Sequence, residues 1–160
     1  MHSIPNIIIP IIENATSRNK NLRDELQDKR AIIFGVPGAF TPTCSEQHLP
    51  SYLKLSNQIK SQGVSDIYCM SVNDAFVMKA WLSSYKSDNK VIGISDGNGD
   101  FTKKLSLLVN YSRNFMNYRC KRFSLIAKNN KIVILNVEKK GKYYISSAEY
   151  ILNLLTKNVI

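Results

Sequence analysis

The sequence predicts an α/β fold in which a mixed, mainly parallel central sheet is flanked by helices. Apolar runs of strand length alternate with stretches of helical periodicity along much of the chain. The run at residues 31–36 is continuously apolar, which is typical of a strand buried on both faces. Asn129 and Asn130 separate two strand-like runs and predict a hairpin, which makes the sheet mixed.

The predicted order is β-α-β-α-β-α, then the hairpin, then a last helix. Extended segments are expected at residues 7–12, 31–36, 66–72, 91–94, 122–127 and 131–137. Helices are expected at residues 18–29, 44–61, a stretch capped by Asn73 or Asp74, 101–109 and 147–157. Strands that alternate with helices favour parallel pairing beneath two helical layers, an arrangement that suits a thioredoxin-like core.

Two local features refine the helices. Pro50 lies inside the second one and should kink it near its first turns. Ser146 and Glu149 have the spacing of a capping box, which predicts that Ser146 opens the last helix.

Length and composition predict one globular domain, residues 1–160. Apolar residues make up 44% of the chain and charged residues 21%, which excludes disordered and fibrous classes. No apolar run is long enough for a membrane span, and Met1-His2-Ser3 lacks the pattern of a signal peptide. A cytoplasmic protein is therefore expected, or an organellar one if a targeting segment precedes this sequence.

The formal net charge of +10 favours anionic partners in general. The cations are spread along the chain, without a long basic tail or a nucleic-acid signature. We interpret them as a solvated surface and expect neither nucleic acid nor membrane as a partner.

The three cysteines are Cys44, Cys69 and Cys120. A small secreted domain stapled by disulfides would carry a denser, even set, so this number favours a reducing compartment.

Cys44 has the setting of a reactive thiol. Residues 34–44 run from the buried strand, through a tight loop, into the first turn of a helix. The helix dipole and unpaired N–H groups there favour the thiolate, which is the nucleophilic form. Thr41 can turn its hydroxyl toward the same point. The alternative for any single cysteine is an inert, buried thiol.

These residues resemble the peroxiredoxin active site. Pro37-x-x-x-Thr41-x-x-Cys44 looks like the family motif, and residues 36–50 (VPGAFTPTCSEQHLP) are similar to its type II branch, which includes the atypical enzymes. Further similarity follows in order along nearly the whole chain, at residues 69–81 (CMSVNDAFVMKAW), 95–102, 119–123 and 135–138.

The resemblance implies a thiol peroxidase that reduces hydrogen peroxide and alkyl hydroperoxides, with peroxynitrite as a further candidate substrate. Cys44 matches the peroxidatic cysteine, which becomes a sulfenic acid. Thr41 matches the residue that orients the peroxide. Arg122 matches the arginine that stabilises the thiolate and polarises the O–O bond. Pro37 matches the proline that shields the thiolate from water. No cofactor and no metal are expected.

Two more positions match the family in supporting roles. His48 follows Cys44 by one helical turn, and a structural hydrogen bond is expected of it rather than catalysis. Arg119 matches a second basic position, for which a solvated surface arginine is an equal alternative. Cys44 and His48 lack the further ligands that tetrahedral zinc needs.

The route by which the sulfenic acid is reduced stays open. Ser146 stands where animal-like atypical members have their resolving cysteine. Cys69 follows Cys44 at the spacing of plant-like members and is a candidate resolving residue, but a mid-strand cysteine is commonly buried and inert. Cys120 stands between Arg119 and Lys121, a cationic setting that would activate a thiol, although a dispensable thiol that is exposed or half-buried is expected there.

We therefore expect an outside thiol as the reductant, either glutathione with glutaredoxin or thioredoxin. The resemblance also implies a homodimer.

Three other functions can be distinguished from a peroxidase. A dithiol oxidoreductase would need Cys-x-x-Cys, but Thr41 occupies the first position. A redox-regulated binding or chaperone protein on the same fold would not need Thr41, Cys44 and Arg122 together. A basic nucleic-acid binder would show salt-sensitive retention.

Overall fold

The computed structural model describes residues 2–86 and 89–160. Its strands are β1 (Ile8–Glu13), β2 (Thr16–Asn21), β3 (Arg30–Gly35), β4 (Asp66–Ser71), β5 (Ile92–Ser95), β6 (Leu108–Asn110), β7 (Tyr118–Cys120), β8 (Phe123–Lys128) and β9 (Lys131–Val137). Its α-helices are α1 (Leu22–Glu25), α2 (Leu49–Ser61), α3 (Ala75–Ser83), α4 (Asp100–Lys104) and α5 (Ala148–Thr156). A π-helical segment (Cys44–His48) precedes α2, and a 3₁₀ turn (Ser112–Asn114) lies between β6 and β7.

Seven strands form one mixed sheet in the order β2-β1-β5-β4-β3-β8-β9. The parallel pairs are confined to the three central strands β3, β4 and β5, and the outer pairs are antiparallel. The predicted mixed sheet is present, but antiparallel pairs outnumber parallel ones because β1 and β2 add a hairpin at one edge. β6 and β7 pair separately.

Alternation along β3 divides the core into two layers. Ile32 and Phe34 belong to the layer beneath α2, α3 and α5. Ala31 and Ile33 face the opposite layer, which includes α1 and α4. All four are fully buried, so the sheet is covered on both faces, as the continuous apolar run predicted.

Two predicted helices are shorter than expected. Residues 16–21 form β2, because positive φ angles at Asn14 and Ala15 turn the chain back to pair with β1. Four of these six residues are exposed and the other two are half-buried, as an edge strand allows. After α4 the chain turns at Ser106, which has a φ of 57°, and continues as β6.

The hairpin at Asn129 and Asn130 is confirmed, with both residues at positive φ between β8 and β9. Within the described residues, no helix has both the length and the apolarity that crossing a membrane would require.

Candidate active site

The loop after β3 is anchored at both ends before it reaches Cys44. Gly35 packs against the Phe123 ring, so closely that a Cβ there would lie 2.0 Å from Phe123 Cε1. Further along, the Ala39 N–H donates to Asn73 Oδ1 over 3.0 Å. Ser71 Oγ donates to the same oxygen over 2.5 Å. Contacts at the carboxyl ends of β3 and β4 therefore fix the position of the loop.

Cys44 lies in the first turn of the helical segment, as predicted. Helical backbone starts at Pro42, and the Ser45 N–H donates to the Thr41 carbonyl over 2.9 Å. The Leu49 N–H donates to the Cys44 carbonyl, a five-residue step that defines the π-helical turn. The π-helical turn ends at His48, and α2 begins at Leu49 with Pro50 in its first turn. The Cys44 side chain is only 1% exposed.

Arg122 brings a fixed positive charge to the sulfur. It directly precedes β8, and its Nη2 donates to Cys44 Sγ over 3.3 Å. A guanidinium at this distance stabilises a thiolate more than a thiol. The predicted pairing of these two residues is thus present in the structure.

His48 holds the other side of the same guanidinium. Arg122 Nη1 donates to His48 Nδ1 over 3.0 Å, and arginine has no acceptor, so Nδ1 must be unprotonated. His48 Nε2 then donates to the Ser146 carbonyl over 2.9 Å. Burial first, and the Arg122 charge second, lower the pKa of His48 to about 3. The imidazole is therefore neutral at physiological pH and accepts a hydrogen bond from Arg122.

Ser146 has a different role from the one predicted. Its carbonyl accepts both His48 Nε2 and Tyr52 Oη, the latter over 2.8 Å. Its N–H and Oγ both donate to Glu138 Oε1 over 2.9 Å. The helix cap is Ser147 instead, whose Oγ accepts the Tyr150 N–H over 3.2 Å. The prediction of Ser146 as the cap was wrong by one residue, because the Ser146 hydroxyl is hydrogen-bonded to Glu138 and not to the first turn of α5.

Thr41, Pro37 and Arg119 lie around the same loop. Thr41 Oγ1 donates to the Gly38 carbonyl over 2.7 Å. Arg119 Nε donates to the Met116 carbonyl over 3.0 Å, and its Nη1 would lie 3.3 Å from a Cβ on Gly38. Pro37 is half-buried and lines a cleft together with Arg122. Arg119 therefore packs on the active-site loop and is not a freely solvated side chain.

The other two cysteines are buried, and all three are free thiols. Cys69 belongs to the same core layer as Cys44, and burial raises the pKa of its thiol well above the ordinary value. Cys120 lies in the opposite layer, where Sγ donates to the Val36 carbonyl over 3.1 Å. Burial also raises the pKa of Cys120, so its basic neighbours in sequence do not activate it.

Sequence reasoning missed the contacts that hold the Cys44 turn from outside. Trp81 Nε1 donates to Ser45 Oγ over 3.0 Å, and Tyr85 Oη donates to the Ser45 carbonyl over 2.7 Å. The Tyr143 ring packs edge-on against His48, with centroids 5.1 Å apart. In the sequence, only the indole N–H of Trp81 and the hydroxyls of Tyr85 and Tyr143 indicate that these aromatic side chains could form such contacts.

A buried thiol at a helix start, beyond the carboxyl end of the parallel strand β3, accepts a hydrogen bond from an arginine at the amino end of the neighbouring antiparallel strand β8. This arrangement defines a thiol-dependent redox site on a thioredoxin-like core. Among the described residues, no group of three or more His, Cys, Asp or Glu side chains could hold a metal ion. The comparisons with known proteins agree with this class. The Redoxin family model matches residues 3–152.

A rice (Oryza sativa subsp. japonica) relative, peroxiredoxin-2C, is 47% identical over 127 residues, covering 79% of this chain and 78% of its own. Reduced Prx3 from Vibrio vulnificus, solved with H₂O₂, superimposes with a TM-score of 0.90 at 37% identity and 96% coverage of both chains. A Plasmodium falciparum antioxidant protein described as a 1-Cys peroxiredoxin has a TM-score of 0.88 at 33% identity, covering 98% of this chain and 97% of that one.

The chain therefore belongs to the redoxin family, as a peroxiredoxin and hence a thiol-dependent peroxidase. The predicted family, fold class and enzyme class are confirmed.

Proposed function

We propose that Cys44 is the peroxidatic nucleophile of this enzyme. The 3.3 Å hydrogen bond from Arg122 to Cys44 Sγ carries the proposal. The thiolate attacks one oxygen of the hydroperoxide, the O–O bond breaks, and the leaving alkoxide or hydroxide takes up a proton as alcohol or water. Cys44 becomes a sulfenic acid. Hydrogen peroxide and alkyl hydroperoxides are the proposed substrates.

Arg122, Thr41 and Pro37 complete the proposed machinery. Arg122 stabilises the thiolate and the charge that develops on the peroxide. Thr41 orients the peroxide from the loop: its hydroxyl donates to the Gly38 carbonyl, which leaves Oγ1 free to accept a hydrogen bond from the peroxide. Pro37 limits the access of water.

His48 and Arg119 are proposed as positioning residues. The bond from Arg122 to His48 supports the first, because a neutral acceptor holds the guanidinium without competing for its charge. The packing of Arg119 beside Gly38 supports the second, since it holds the loop that carries Thr41.

The proposed cycle uses one cysteine of this chain. Cys69 is fully buried in a central strand, and a Cys44–Cys69 disulfide would require the Cys44 turn to open against its contacts with Trp81 and Tyr85. An outside thiol attacks the sulfenic acid instead, releasing water and forming a mixed disulfide. A second thiol then restores Cys44. The relative described as a 1-Cys peroxiredoxin supports this cycle.

Glutathione with glutaredoxin, or thioredoxin, is the proposed source of that thiol. Turnover assays with each reductant in place of the other would decide between them. A cytoplasmic location for a single domain of residues 1–160 remains a prediction of the sequence.

A homodimer is proposed from the exposed phenylalanines. Phe40, Phe76 and Phe115 are 60%, 87% and 99% exposed, and burying such large apolar side chains against a second copy would remove them from water. Sedimentation of the wild type beside Phe76→Ser and Phe115→Ser variants would test it. A wild type that stays monomeric at micromolar concentration would contradict it.

The nucleophile itself is tested with two matched variants. Cys44→Ser should abolish peroxide consumption, whereas Cys120→Ser should retain most of it, because a hydroxyl can keep the bond to the Val36 carbonyl. Comparable turnover by Cys44→Ser would refute the proposal.

A further inference from the structure

A cleft of about 460 Å³ opens beside the proposed nucleophile. Its lining includes Pro37, Thr43, which precedes Cys44 in the chain, and Arg122, whose Nη2 donates to Cys44 Sγ over 3.3 Å. Its volume lies within the range of small-ligand sites and far exceeds what hydrogen peroxide needs. A larger reactant can therefore enter by this route.

The cleft is strongly cationic. Four exposed lysines belong to its lining: Lys121, Lys139, Lys140 and Lys142. None of them is ion-paired to a carboxylate in the part of the chain that the structure describes. Glu138 is the sole acidic side chain among the described lining residues, and its Oε1 already accepts three hydrogen bonds from Tyr144 and Ser146. The excess of positive over negative side chains in the cleft lining favours an anionic ligand.

The same cleft has an apolar part. Val109, Tyr111, Val137 and Tyr143 contribute to its lining. The Tyr143 hydroxyl donates to Ser51 Oγ over 3.1 Å, so its polar tip is already occupied, and its ring lies 5.9 Å from the Arg122 guanidinium carbon. An apolar chain therefore has surface to cover within the cleft.

We propose that this lysine cleft selects organic hydroperoxides that carry both an aliphatic chain and a carboxylate. Hydrogen peroxide has neither feature, and glutathione has carboxylates but no apolar chain. The inference rests on the proposed role of Cys44. The carboxylate binds the lysines, the chain lies on the apolar lining, and the hydroperoxide reaches Cys44. The thiolate attacks the terminal oxygen, the O–O bond breaks, and the alkoxide takes a proton from water to leave as the hydroxy acid.

A matched pair of substrates isolates the carboxylate. The probes are a medium-chain hydroperoxy carboxylic acid below its micelle concentration, its methyl ester, and hydrogen peroxide. The second-order rate constant of Cys44 oxidation is measured by stopped flow for each. In the wild type we expect the acid to react about tenfold faster than the ester at low salt, since charged clefts raise association rates by roughly 10 to 10³. High salt should shrink that ratio.

A matched pair of variants isolates the lysines. In the double variant Lys139→Glu/Lys140→Glu, the rate constant for the acid divided by that for the ester should fall to about one or below. The control, Lys128→Glu/Lys131→Glu, makes the same charge change at the far end of β8 and β9, where the hairpin turns. It should keep the wild-type ratio. Hydrogen peroxide should react within about twofold of the wild-type rate in both, because it carries no charge to be steered.

Equal rates for acid and ester in the wild type, or an unchanged ratio in Lys139→Glu/Lys140→Glu, would overturn the proposal. So would a variant that slows only the reduction of oxidised Cys44 by glutathione, since the cleft would then serve the reductant. Failure of Cys44 to react with hydrogen peroxide would refute the proposed function itself, and it is a separate result.

Discussion

Arg122 and Cys44, which are 78 positions apart in the chain, meet through a 3.3 Å hydrogen bond from Nη2 to Sγ. His48 holds the same guanidinium through Nη1 over 3.0 Å. One planar side chain therefore joins the thiol to a buried neutral acceptor. This geometry suits arginine because its fork of donors can serve two partners in fixed directions.

Replacing Arg122 should weaken the enzyme at its first chemical step. We expect Arg122→Ala to lower the second-order rate with hydrogen peroxide by well over tenfold, since a charge at this distance can supply about 1.4 kcal/mol or more. Arg122→Lys should restore part of the rate, because it keeps the charge but loses the fork. Stopped-flow measurement of the second-order rate constant would test both variants. An unchanged rate constant in Arg122→Ala would show that this contact does not contribute to catalysis.

His48 should make the protein less stable in acid. Burial and the Arg122 charge lower its pKa from 6.5 to about 3, so the unfolded chain binds a proton between these values and the folded one does not. Its contribution to stability is complete above pH 6.5 and is lost as the pH falls toward 3, by up to about 1.4 kcal/mol per unit. The free energy of unfolding, measured with urea at several pH values, should fall less steeply with decreasing pH in His48→Gln than in the wild type. Equal pH dependence in the two proteins would contradict the lowered pKa of His48.

Trp81 should report directly on the Cys44 turn. It is the one tryptophan in the sequence, and its indole donates to Ser45, the neighbour of Cys44. We expect peroxide to change its fluorescence at the rate of Cys44 oxidation. The control is Cys44→Ser, in which the change should vanish. A signal that persists there would mean that Trp81 senses some other event.

Much of the fold and site could be predicted because local signals agreed. Neighbouring residues specify three features: the apolar run of β3, the turn at Asn129 and Asn130, and the start of a helix at Cys44. The position of Arg122 followed from family resemblance, because nothing local links it to a residue 78 positions away.

The features that were missed depend on tertiary contacts. Ser146 and Ser147 can both cap a helix, and the choice is made by Glu138, which binds Ser146. Residues 16–21 have a polar pattern that does not reveal an edge strand until β1 pairs with them. The roles of Trp81 and Tyr85 arise only when α3 packs beside the Cys44 turn.

Mass spectrometry after a single oxidation tests the central claim most directly, that Cys44 is oxidised and waits for an outside thiol. One equivalent of hydrogen peroxide is added to reduced wild type and to Cys69→Ala, with a dimedone-type trap and no small thiol. Both proteins should carry the trap on Cys44, and both should form a glutathione adduct there when glutathione replaces it. Rapid, near-quantitative formation of a Cys44–Cys69 disulfide within one wild-type chain, or a trap found on Cys69 or Cys120 in place of Cys44, would contradict the account.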